Sequence, residues 1–464
     1  MKKTIFLLSG VIIMQTKLFA SNLPIPSYKN VDFKPPKIKT ITLENGIKLY
    51  IQKDQTLPLI RLSLLIKTGK VYDPIDMAGL GELFFETLRD GGSKKFKSED
   101  IDKKLEYLGA EILSRINNED ANISMFSHKK NFDEVFEIFG DLVKNPAFEL
   151  EKFNLKKQES IEMIKRRNDN PDKQASREAV RMFFGKDHPY GVRAEIETVE
   201  KITVNDLKKY HENYFKSNNL LVVVAGDFDE NEMINKIKNT FESIPKGDAS
   251  FPKIDEPKLN NERKIYLIDK PIRQTFIVIL NKGIRRHDPK EYALTVLSEY
   301  MGGGIQSKLG NEIRSKRGLA YSVYSYFAKR DLSGFIITYL GTKPESVYQA
   351  INQIFIEMEK ARKGEIDLKE FEMAKSQIIN SFVFRFPNAF SLLAEKAGYD
   401  LYGYEEDYLE NYVKNINNVK LEDIIEIAKE YYDTQNPLIF VVGDSKKFDK
   451  PLETLGKVEI LKED

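Results

Sequence analysis

The chain has 464 residues, which is too long for a single hydrophobic core, so two or more domains are expected. Hydrophobic residues make up 41% and charged residues 31% of the chain, as in a soluble globular protein, and the net charge of +1 argues against a nucleic-acid or anionic-membrane partner bound by bulk charge. The chain contains no cysteine, which excludes disulfides, thiolate metal sites and a cysteine nucleophile.

The N-terminus has the pattern of a secretory signal peptide. Lys2 and Lys3 precede the apolar stretch 5–14, and Ala20 supplies a small residue at the expected cleavage site. The apolar stretch is shorter than the roughly 20 residues that a membrane-spanning helix needs, and no cysteine follows it to carry a lipid. We therefore interpret residues 1–20 as a signal peptide and expect an exported, periplasmic protein without a stable membrane anchor.

The first predicted elements after this segment are β-strands. Residues 38–43 and 47–52 flank the turn Glu44-Asn45-Gly46 and predict a β-hairpin, and the apolar run 60–66 predicts a third strand. Residues 222–227, Val-Val-Val-Ala-Gly-Asp, predict a buried strand much further on. Strands interspersed with pairs of helices favour an α+β domain, in which helices pack on one face of a sheet.

Residues 78–92 predict an amphipathic helix that ends at two glycines. Its apolar residues recur at helical spacing and form a core-facing stripe: Leu80, Leu83, Phe84, Thr87 and Leu88. Glu82, Phe85, Glu86 and Arg89 are expected together on the opposite face. There Arg89, one turn from Glu86, would relieve the repulsion between the two glutamates.

Short sequence matches recur along the chain at nearly constant separation, which indicates an internal duplication. The matched pairs and their offsets are Asp73 with Asp288 (215 residues), Leu150 with Leu368 (218) and Tyr214 with Tyr431 (217). Residues 246–263 are rich in Pro, Asp, Lys and Asn and lack periodicity. We predict an N-terminal domain over 36–245, a linker over 246–263 and a homologous C-terminal domain over 264–464.

The second half contains a glycine-rich segment followed by a helix and a strand. Glycines 302–304 end one predicted helix, and a second helix over about 307–316 should point Leu309 and Ile313 inward. The alternating pattern of residues 321–327 then predicts a strand.

Together these segments resemble the pitrilysin/insulinase family of zinc peptidases, in its branch similar to mitochondrial processing peptidases. The resemblance is carried by Asp73-Pro74, by residues 78–92 and by residues 301–323, and it covers nearly the whole chain from about residue 36. It implies two homologous α+β domains, each a mostly antiparallel sheet with helices packed on one face. It also implies a clam-shell arrangement of these domains around a peptide chamber.

The resemblance further implies that the zinc site of this chain is degenerate. Family members with their own catalysis carry His-x-x-Glu-His on the matching helix, where two histidines bind zinc and the glutamate activates the bound water. Glu82, Phe85 and Glu86 stand at those positions, and Glu159 or Glu162 lies where the family has its third ligand. Two carboxylates are too few for a shared Ca²⁺, so we expect no metal and no cofactor in this chain.

The second half keeps the polar residues of the family's active site. In active members an arginine and a tyrosine seven residues apart bind the substrate's main-chain carbonyl and stabilise the charge that develops on it. Arg314 and Tyr321 stand at that spacing, and the resemblance assigns them this role. The alternative is a solvated Arg314 and a packing Tyr321. Arg317, on a different face of the helix, is the nearest arginine with which Arg314 can be confused.

A chain with this Arg/Tyr pair but no zinc motif is expected to be one subunit of a peptidase. Arg314 and Tyr321 would complete the active site of a zinc-bearing paralogue in a heterodimer that cleaves peptides, with zinc in the partner only. One alternative is a structural or peptide-holding protein without a role in hydrolysis. The other, less favoured, is an autonomous enzyme that uses a different metal.

Overall fold

Two α+β domains, each built on a six-stranded sheet, make up the described part of the chain. The structure is a computed structural model that describes residues 34–259 and 262–462. The predicted signal peptide, residues 1–20, lies outside the described residues. Within the described ranges no helix is long and apolar enough to cross a lipid bilayer.

The N-terminal domain carries a mostly antiparallel sheet. Its strands are β1 (Lys39–Thr42), β2 (Lys48–Lys53), β3 (Leu59–Ile66), β4 (Glu111–Ile116), β5 (Ala121–His128) and β6 (Leu220–Gly226). Their order across the sheet is β1-β2-β6-β3-β5-β4, and β2 runs parallel to β6. β1 and β2 form the predicted hairpin. Its turn contains Gly46 at a φ of 103°, which glycine adopts without strain.

Helices cover one face of this sheet and supply most of the core. They are α1 (Leu80–Asp90), α2 (Ser98–Leu108), α3 (Phe132–Lys144), α4 (Leu150–Lys165), α5 (Pro171–Phe184), α6 (Ile196–Lys201), α7 (Val204–Tyr214) and α8 (Glu230–Phe241). Apolar side chains from α1, α3, α7 and α8 pack together with inward-facing side chains of the sheet. α5 is the exception, because it packs on the other domain.

The C-terminal domain has a second six-stranded sheet. Its strands are β7 (Lys264–Asp269), β8 (Thr275–Lys282), β9 (Ser322–Ala328), β10 (Phe335–Thr342), β11 (Leu438–Gly443) and β12 (Val458–Ile460). The helices are α9 (Glu291–Gly302), α10 (Val347–Arg362), α11 (Leu368–Phe382), α12 (Ala389–Leu401), α13 (Tyr408–Asn418) and α14 (Leu421–Tyr431). A π-helical segment, Gly310–Ser315, lies between α9 and β9.

Five strands occupy corresponding places in the two sheets. The second sheet has the order β12-β7-β11-β8-β10-β9, so that β2, β6, β3, β5 and β4 correspond to β7, β11, β8, β10 and β9. The parallel pair β2 and β6 corresponds to the parallel pair β7 and β11. The sixth strand differs, because β1 pairs antiparallel with β2 while β12 pairs parallel with β7. A shared order of this kind is what a duplication would produce, and the duplication itself stays a prediction.

Each domain contributes one helix to the second face of the other domain's sheet. Ala175 and Ala179 of α5 are fully buried against strands of the C-terminal sheet, such as β8 and β11. Leu393 and Ala397 of α12 pack in the same way against β2 and β6. Alanine at these positions allows the helix backbone to lie close to the sheet. Side chains of the two domains therefore form shared cores.

The predicted fold class, α+β with two mostly antiparallel sheets, is confirmed. The expectation of helices on one face was incomplete, since α5 and α12 give each sheet a helix on its second face as well.

The predicted linker has neither helix nor strand in its described residues, 246–259 and 262–263. Phe251 within it packs edge-on against Tyr72, with ring centroids 4.9 Å apart, so this segment lies on the N-terminal domain. The domain boundaries at 36–245, 246–263 and 264–464 stay predictions.

Candidate functional site

The helix that resembles the zinc-binding helix, α1, is positioned by a buried carboxylate at its N-terminus. Asp73 accepts hydrogen bonds from the backbone N–H groups of Gly79 (3.1 Å) and Gly81 (3.0 Å). Burial raises the pKa of Asp73 to about 7, although the two N–H groups favour its charged form. A side chain at Gly81 would place its Cβ 2.6 Å from Ile116. Asp73 and these glycines therefore fix where α1 begins and how closely it approaches β4.

Phe85, at the position of the family's general base, is a core residue. Its side chain is fully buried, with its ring 5.0 Å from that of Phe84 and 6.2 Å from that of Tyr210. The hydroxyl of Ser114 on β4 donates to the carbonyl oxygen of Phe85 (2.7 Å). The expectation that Phe85 lies on an open face with Glu82 and Glu86 was wrong, because β4, α4 and α7 cover α1 from several sides.

Arg89 does not pair with either of the two glutamates on α1. Glu82 accepts a hydrogen bond from the ammonium of Lys70. Arg89 donates to the carboxylates of Asp90 (2.7 Å) and Asp102 (2.5 Å). The predicted relief of the glutamate repulsion by Arg89 was therefore wrong. Its guanidinium points towards the start of α2 instead.

α4 brings a third carboxylate towards Glu86. Burial raises the pKa of Glu86 to about 7, and the negative charges of Glu82 and Glu159 add to the effect. Lys156 opposes it and binds Asp90 (2.7 Å) and Glu159 (2.9 Å) through its ammonium group. The other candidate for the third ligand position, Glu162, is exposed and binds Lys165. Of the two candidates, Glu159 is thus the one whose charge acts on Glu86, and its place as the counterpart of the third ligand stays a prediction.

These residues do not fit a zinc ion. In residues 34–259 and 262–462 no group of three or more His, Cys, Asp or Glu side chains is arranged to hold a metal. Glu82 and Glu159 already bind the ammonium groups of Lys70 and Lys156, and the histidines that zinc prefers are absent from α1. The same donor set is too small for Ca²⁺. The side chains on α1 and α4 therefore do not support metal-dependent hydrolysis by this chain.

Arg314 lies on the π-helical segment that the sequence predicted as a helix. Leu309 and Ile313 are fully buried as expected and anchor the segment to the C-terminal core. The N–H of Lys316 donates to the carbonyl of Asn311, five residues back, which is the wider π-helical pattern. The side chain of Arg314 is exposed, and it makes no hydrogen bond or ion pair with any described residue.

Arg317, the arginine most easily confused with Arg314, is already engaged. Its guanidinium donates to the side chain (2.5 Å) and the backbone carbonyl (2.9 Å) of Glu312, which also binds the ammonium of Lys316 (2.6 Å). Hydrogen bonds from Lys316 and then Arg317 lower the pKa of Glu312 to about 2. The two arginines therefore differ in their contacts: Arg317 is bound to Glu312, and Arg314 is the one available to a ligand.

Tyr321 has a fixed backbone and an unengaged side chain. Its N–H donates to the carbonyl of Gly341 (2.9 Å), immediately before β9 begins. The ring is 65% exposed, and its hydroxyl has no hydrogen-bond partner among the residues described. The predicted alternation placed Tyr321 on one face with Val323 and Ser325. Those two are buried, whereas Tyr321 is not, because it precedes the strand.

The structure does not join the two halves of the expected site. Within the described chain no hydrogen bond, ion pair or ring contact links Glu82, Phe85 or Glu86 to Arg314 or Tyr321. The first three residues lie on α1 of the N-terminal domain. Arg314 lies in the π-helical segment of the C-terminal domain, and Tyr321 lies just before β9. The two sets of residues therefore form separate groups, one in each domain.

Comparison with known protein families places the chain in one of them. The family model described as "Insulinase (Peptidase family M16)" matches residues 48–191, and the model described as "Peptidase M16 inactive domain" matches residues 201–378. The chain belongs to the M16 peptidase family.

Relatives of similar length include two proteins of Helicobacter pylori. The "Non-peptidase homolog YmxG" is 25% identical over 417 residues, covering 87% of this chain and 93% of the relative. The "Zinc protease PqqE" is 23% identical over 425 residues, covering 88% and 93%. A crystal structure of a "peptidase M16 inactive domain" from Pseudomonas fluorescens is similar in fold, with a TM-score of 0.80 and 23% identity over 89% of this chain and 99% of that one.

Proposed function

We propose that this chain is the non-zinc subunit of an exported, heterodimeric M16 metallopeptidase. In this proposal Arg314 and Tyr321 bind the carbonyl of a peptide in the active site of a zinc-bearing paralogous subunit. The observation that carries it is the state of the Arg/Tyr pair. Both side chains are exposed and without a partner in the described structure, while the neighbouring Arg317 is held by Glu312.

The chemistry of the pair suits a developing negative charge. A guanidinium and a phenol hydroxyl are both hydrogen-bond donors, and donors fixed before the reaction stabilise an oxyanion at no cost of reorganisation. Buried Ile313 holds the segment that carries Arg314, and the backbone bond to Gly341 holds Tyr321. Both donors therefore sit on anchored backbone, although their side chains are open to solvent.

The N-terminal half of the chain supports a division of labour between two subunits. Phe85, which stands at the position of the family's general base, cannot take a proton, and Glu82 is paired with Lys70. The peptide chamber would lie between the subunits, because α5 and α12 fill the second faces of the two sheets. Export to the periplasm, through residues 1–20, is part of the same proposal.

The relatives support the pairing of unlike subunits. One bacterium contains both a relative named zinc protease and a relative named non-peptidase homolog, each covering most of this chain. We propose that this chain has the role of the second and that a protein like the first is its partner.

The test is peptide hydrolysis by this chain co-expressed with the zinc-bearing paralogue from its own genome. Tyr321→Phe and Arg314→Met should each lower kcat by about 10²–10³, because each removes one donor to the oxyanion. The matched controls are Tyr326→Phe, an exposed tyrosine on β9, and Arg317→Met. Both controls should keep kcat close to that of the unmodified pair. Size-exclusion chromatography checks that every variant still assembles.

Two results would refute the proposal. An unchanged kcat in the assembled Tyr321→Phe and Arg314→Met variants would remove the Arg/Tyr role. Chelator-sensitive hydrolysis by this chain alone, with stoichiometric zinc, would show that it needs no partner.

Peptide holding without hydrolysis is the second candidate, and one surface feature favours it. Tyr324 and Tyr326 are 38% and 48% exposed on β9, the edge strand of its sheet. An edge strand can pair with an extended peptide through its backbone. Fluorescence anisotropy with a labelled unfolded peptide tests this candidate. Binding by the chain alone, together with no rate enhancement in any co-expressed paralogue, would support it over the heterodimer.

A further inference from the structure

A cluster of four arginines surrounds two glutamates where α5 lies against the C-terminal domain. The arginine cluster consists of Arg167, Arg177, Arg181 and Arg193, with Glu178 and Glu195 between them. The arginine side chains are only 11–28% exposed. Four guanidinium groups thus share two carboxylates in a mostly buried cluster. An excess of positive charge in such a cluster is energetically unfavourable.

Three of the arginines make the closer contacts to the two carboxylates. Glu178 accepts from Arg177 (3.0 Å) and from Arg193. Glu195 accepts from Arg193 (2.7 Å) and from Arg167 (2.5 Å). Both contacts to Glu178 fall on its Oε1, and its Oε2 accepts, among the described residues, only the long contact from Arg181 (3.5 Å).

Arg181 is the guanidinium without a good partner. Its Nη1 lies 3.5 Å from Glu178 and its Nη2 lies 3.8 Å from Glu195, distances at or beyond the limit of a hydrogen bond. Its Nε is buried and has no hydrogen-bond partner in the part of the chain that the structure describes. A buried donor left in this way is unfavourable, and such groups in native proteins call for a missing acceptor.

A cavity of about 170 Å³ lies against this arginine. Arg181 and Arg193 line it together with Lys186 and Lys462, while Glu178 is the one carboxylate that residues 34–259 and 262–462 contribute to its wall. Its volume corresponds to about five water molecules. The cavity is therefore large enough for a small ion and too small for a peptide or a drug-sized molecule, which needs about 300 Å³ or more.

We propose that this cavity binds a small inorganic oxyanion of the size of phosphate. The oxyanion accepts hydrogen bonds from the guanidinium groups of Arg181 and Arg193, and the ammonium groups of Lys186 and Lys462 add charge at the wall. Among the described lining residues, four cationic side chains face one carboxylate, which favours binding of an anion. Free phosphate and a larger phosphorylated molecule share this chemistry, and the cavity volume selects the free ion.

The position of the cavity gives the bound ion a structural consequence. α5 belongs to the N-terminal domain, while Ile268 of β7 and Leu461, just after β12, line the cavity from the C-terminal domain. An ion bound between them joins the two domains, and a ligand that binds only the folded protein raises its stability. This proposal is independent of the peptidase function and of any partner subunit.

Thermal unfolding of the purified chain in rising phosphate is the test, with sodium chloride added to keep the ionic strength constant. Tm should rise with phosphate and, above the Kd of the site, continue to rise with the logarithm of the phosphate concentration, as mass action requires for one site. Arg181→Met should lose the rise and should bind phosphate about tenfold or more weakly in calorimetric titration, because a charge-assisted hydrogen bond is lost. Arg181→Lys, which keeps the positive charge, should recover part of the rise in Tm and part of the affinity for phosphate.

Two further variants keep the test decisive. Arg61→Met removes an exposed arginine that stacks on Phe126 elsewhere and should leave the phosphate response unchanged. Lys186→Gln with Lys462→Gln changes the wall of the cavity without touching the buried cluster, and it should weaken phosphate binding even if Arg181→Met fails to fold. An equal rise in Tm with chloride alone, or a full phosphate response in both cavity variants, would overturn the proposal.

Discussion

Glu86 has the acidic surroundings of a metal ligand, although the residues around it do not fit a metal ion. It stands where the family has a zinc-binding histidine, and its carboxyl group faces Glu82 and Glu159, with Lys156 as the nearest opposing cation. Burial and the negative neighbours raise its pKa to about 7, whereas a zinc ion would have favoured the charged form. Lys156, bound to Asp90 and Glu159, supplies only part of the missing positive charge.

The raised pKa of Glu86 predicts a pH-dependent gain in stability for Glu86→Gln. The folded state holds this proton more tightly than the unfolded state, so the contribution of Glu86 to stability is greatest below pH 4.5 and is lost as the pH rises through about 7. Glu86→Gln does not titrate. Its free energy of unfolding should match that of the unmodified chain at low pH and exceed it above neutrality by on the order of 1 kcal/mol, allowing for partial exposure.

Denaturant unfolding of both chains across this pH range measures the difference. Asp73 also has a pKa raised to about 7, but it is present in both chains and cancels. Glu162→Gln on the exposed side of α4 is the control. Its carboxylate has a pKa lowered by Lys165, so it should not gain stability between pH 4.5 and 7. A gap between Glu86→Gln and the unmodified chain that is the same at every pH would contradict a raised pKa at Glu86.

The sequence shows which residues stand at the family's site positions, but it does not show the surroundings of those residues. The spacing of Arg314 and Tyr321 and the substitutions at Glu82 and Glu86 could be seen from residue patterns alone. The burial of Phe85 could not, because a helical wheel assumes one buried face and α1 is covered by β4, α4 and α7 together. The partners of the acidic residues, Lys70 and Lys156, come from other elements, and contacts of that kind are not encoded in local spacing.

The packing of α5 and α12 on the sheet of the opposite domain is the feature of the fold that the sequence did not predict. The hairpin, the strands and α1 follow from local periodicity and turn residues. That α5 and α12 pack on the sheet of the opposite domain depends on where the chain is placed in space. Ala397 on α12 is fully buried against the N-terminal sheet, while its neighbour Gly398 has no atom within 4 Å of the position where a Cβ would lie.

These neighbours predict opposite effects within one helix. Ala397→Asp would bury a carboxylate against β2 and β6 without a partner and should destabilise the protein by about 3 kcal/mol or more. Gly398→Ala adds a methyl group in open space and should stabilise it by about 0.5–1 kcal/mol, because alanine loses less backbone entropy in a helix than glycine.

Urea unfolding followed by circular dichroism measures both changes, and limited proteolysis reports whether α12 has detached. The expected result is rapid cleavage near α12 in Ala397→Asp and slower cleavage in Gly398→Ala. If Ala397→Asp were as stable as the unmodified chain, α12 would not be packed on the N-terminal sheet.

At the scale of the whole molecule, a buried ion pair joins the two domains. Glu119, in the turn between β4 and β5, is 3% exposed and accepts from Arg286 of the C-terminal domain (2.5 Å). Its other oxygen accepts from the hydroxyl of Tyr190 (2.6 Å) and the N–H of Asp331 (2.9 Å). The guanidinium of Arg286 also lies 3.6 Å from the ring centre of Tyr402. This cluster is thus a contact between the two domains in addition to those made by α5 and α12.

Removing the carboxylate of Glu119 should strongly destabilise the protein and weaken the contact between its two domains. Glu119→Ala leaves Arg286 with Asp331 as its remaining anionic partner and leaves the hydroxyl of Tyr190 without its acceptor. We expect a loss of about 3–5 kcal/mol in the free energy of unfolding, as for other buried pairs broken on one side. Glu119→Gln keeps an oxygen for Tyr190 and Asp331 and should lose less.

The predicted loss of stability in Glu119→Ala is tested against the control Glu111→Ala. Glu111 is an exposed glutamate on β4, and its replacement should change stability by no more than about 0.5 kcal/mol. Since Glu119 holds the two domains together, its removal should also split the single denaturant transition into two, seen as different midpoints for probes placed in each domain. A single transition with a small loss of stability would show that α5 and α12 alone couple the domains. The anion cavity beside α5 gives a second way to separate these contributions, since phosphate should raise the stability of Glu119→Ala through a contact that does not involve Glu119.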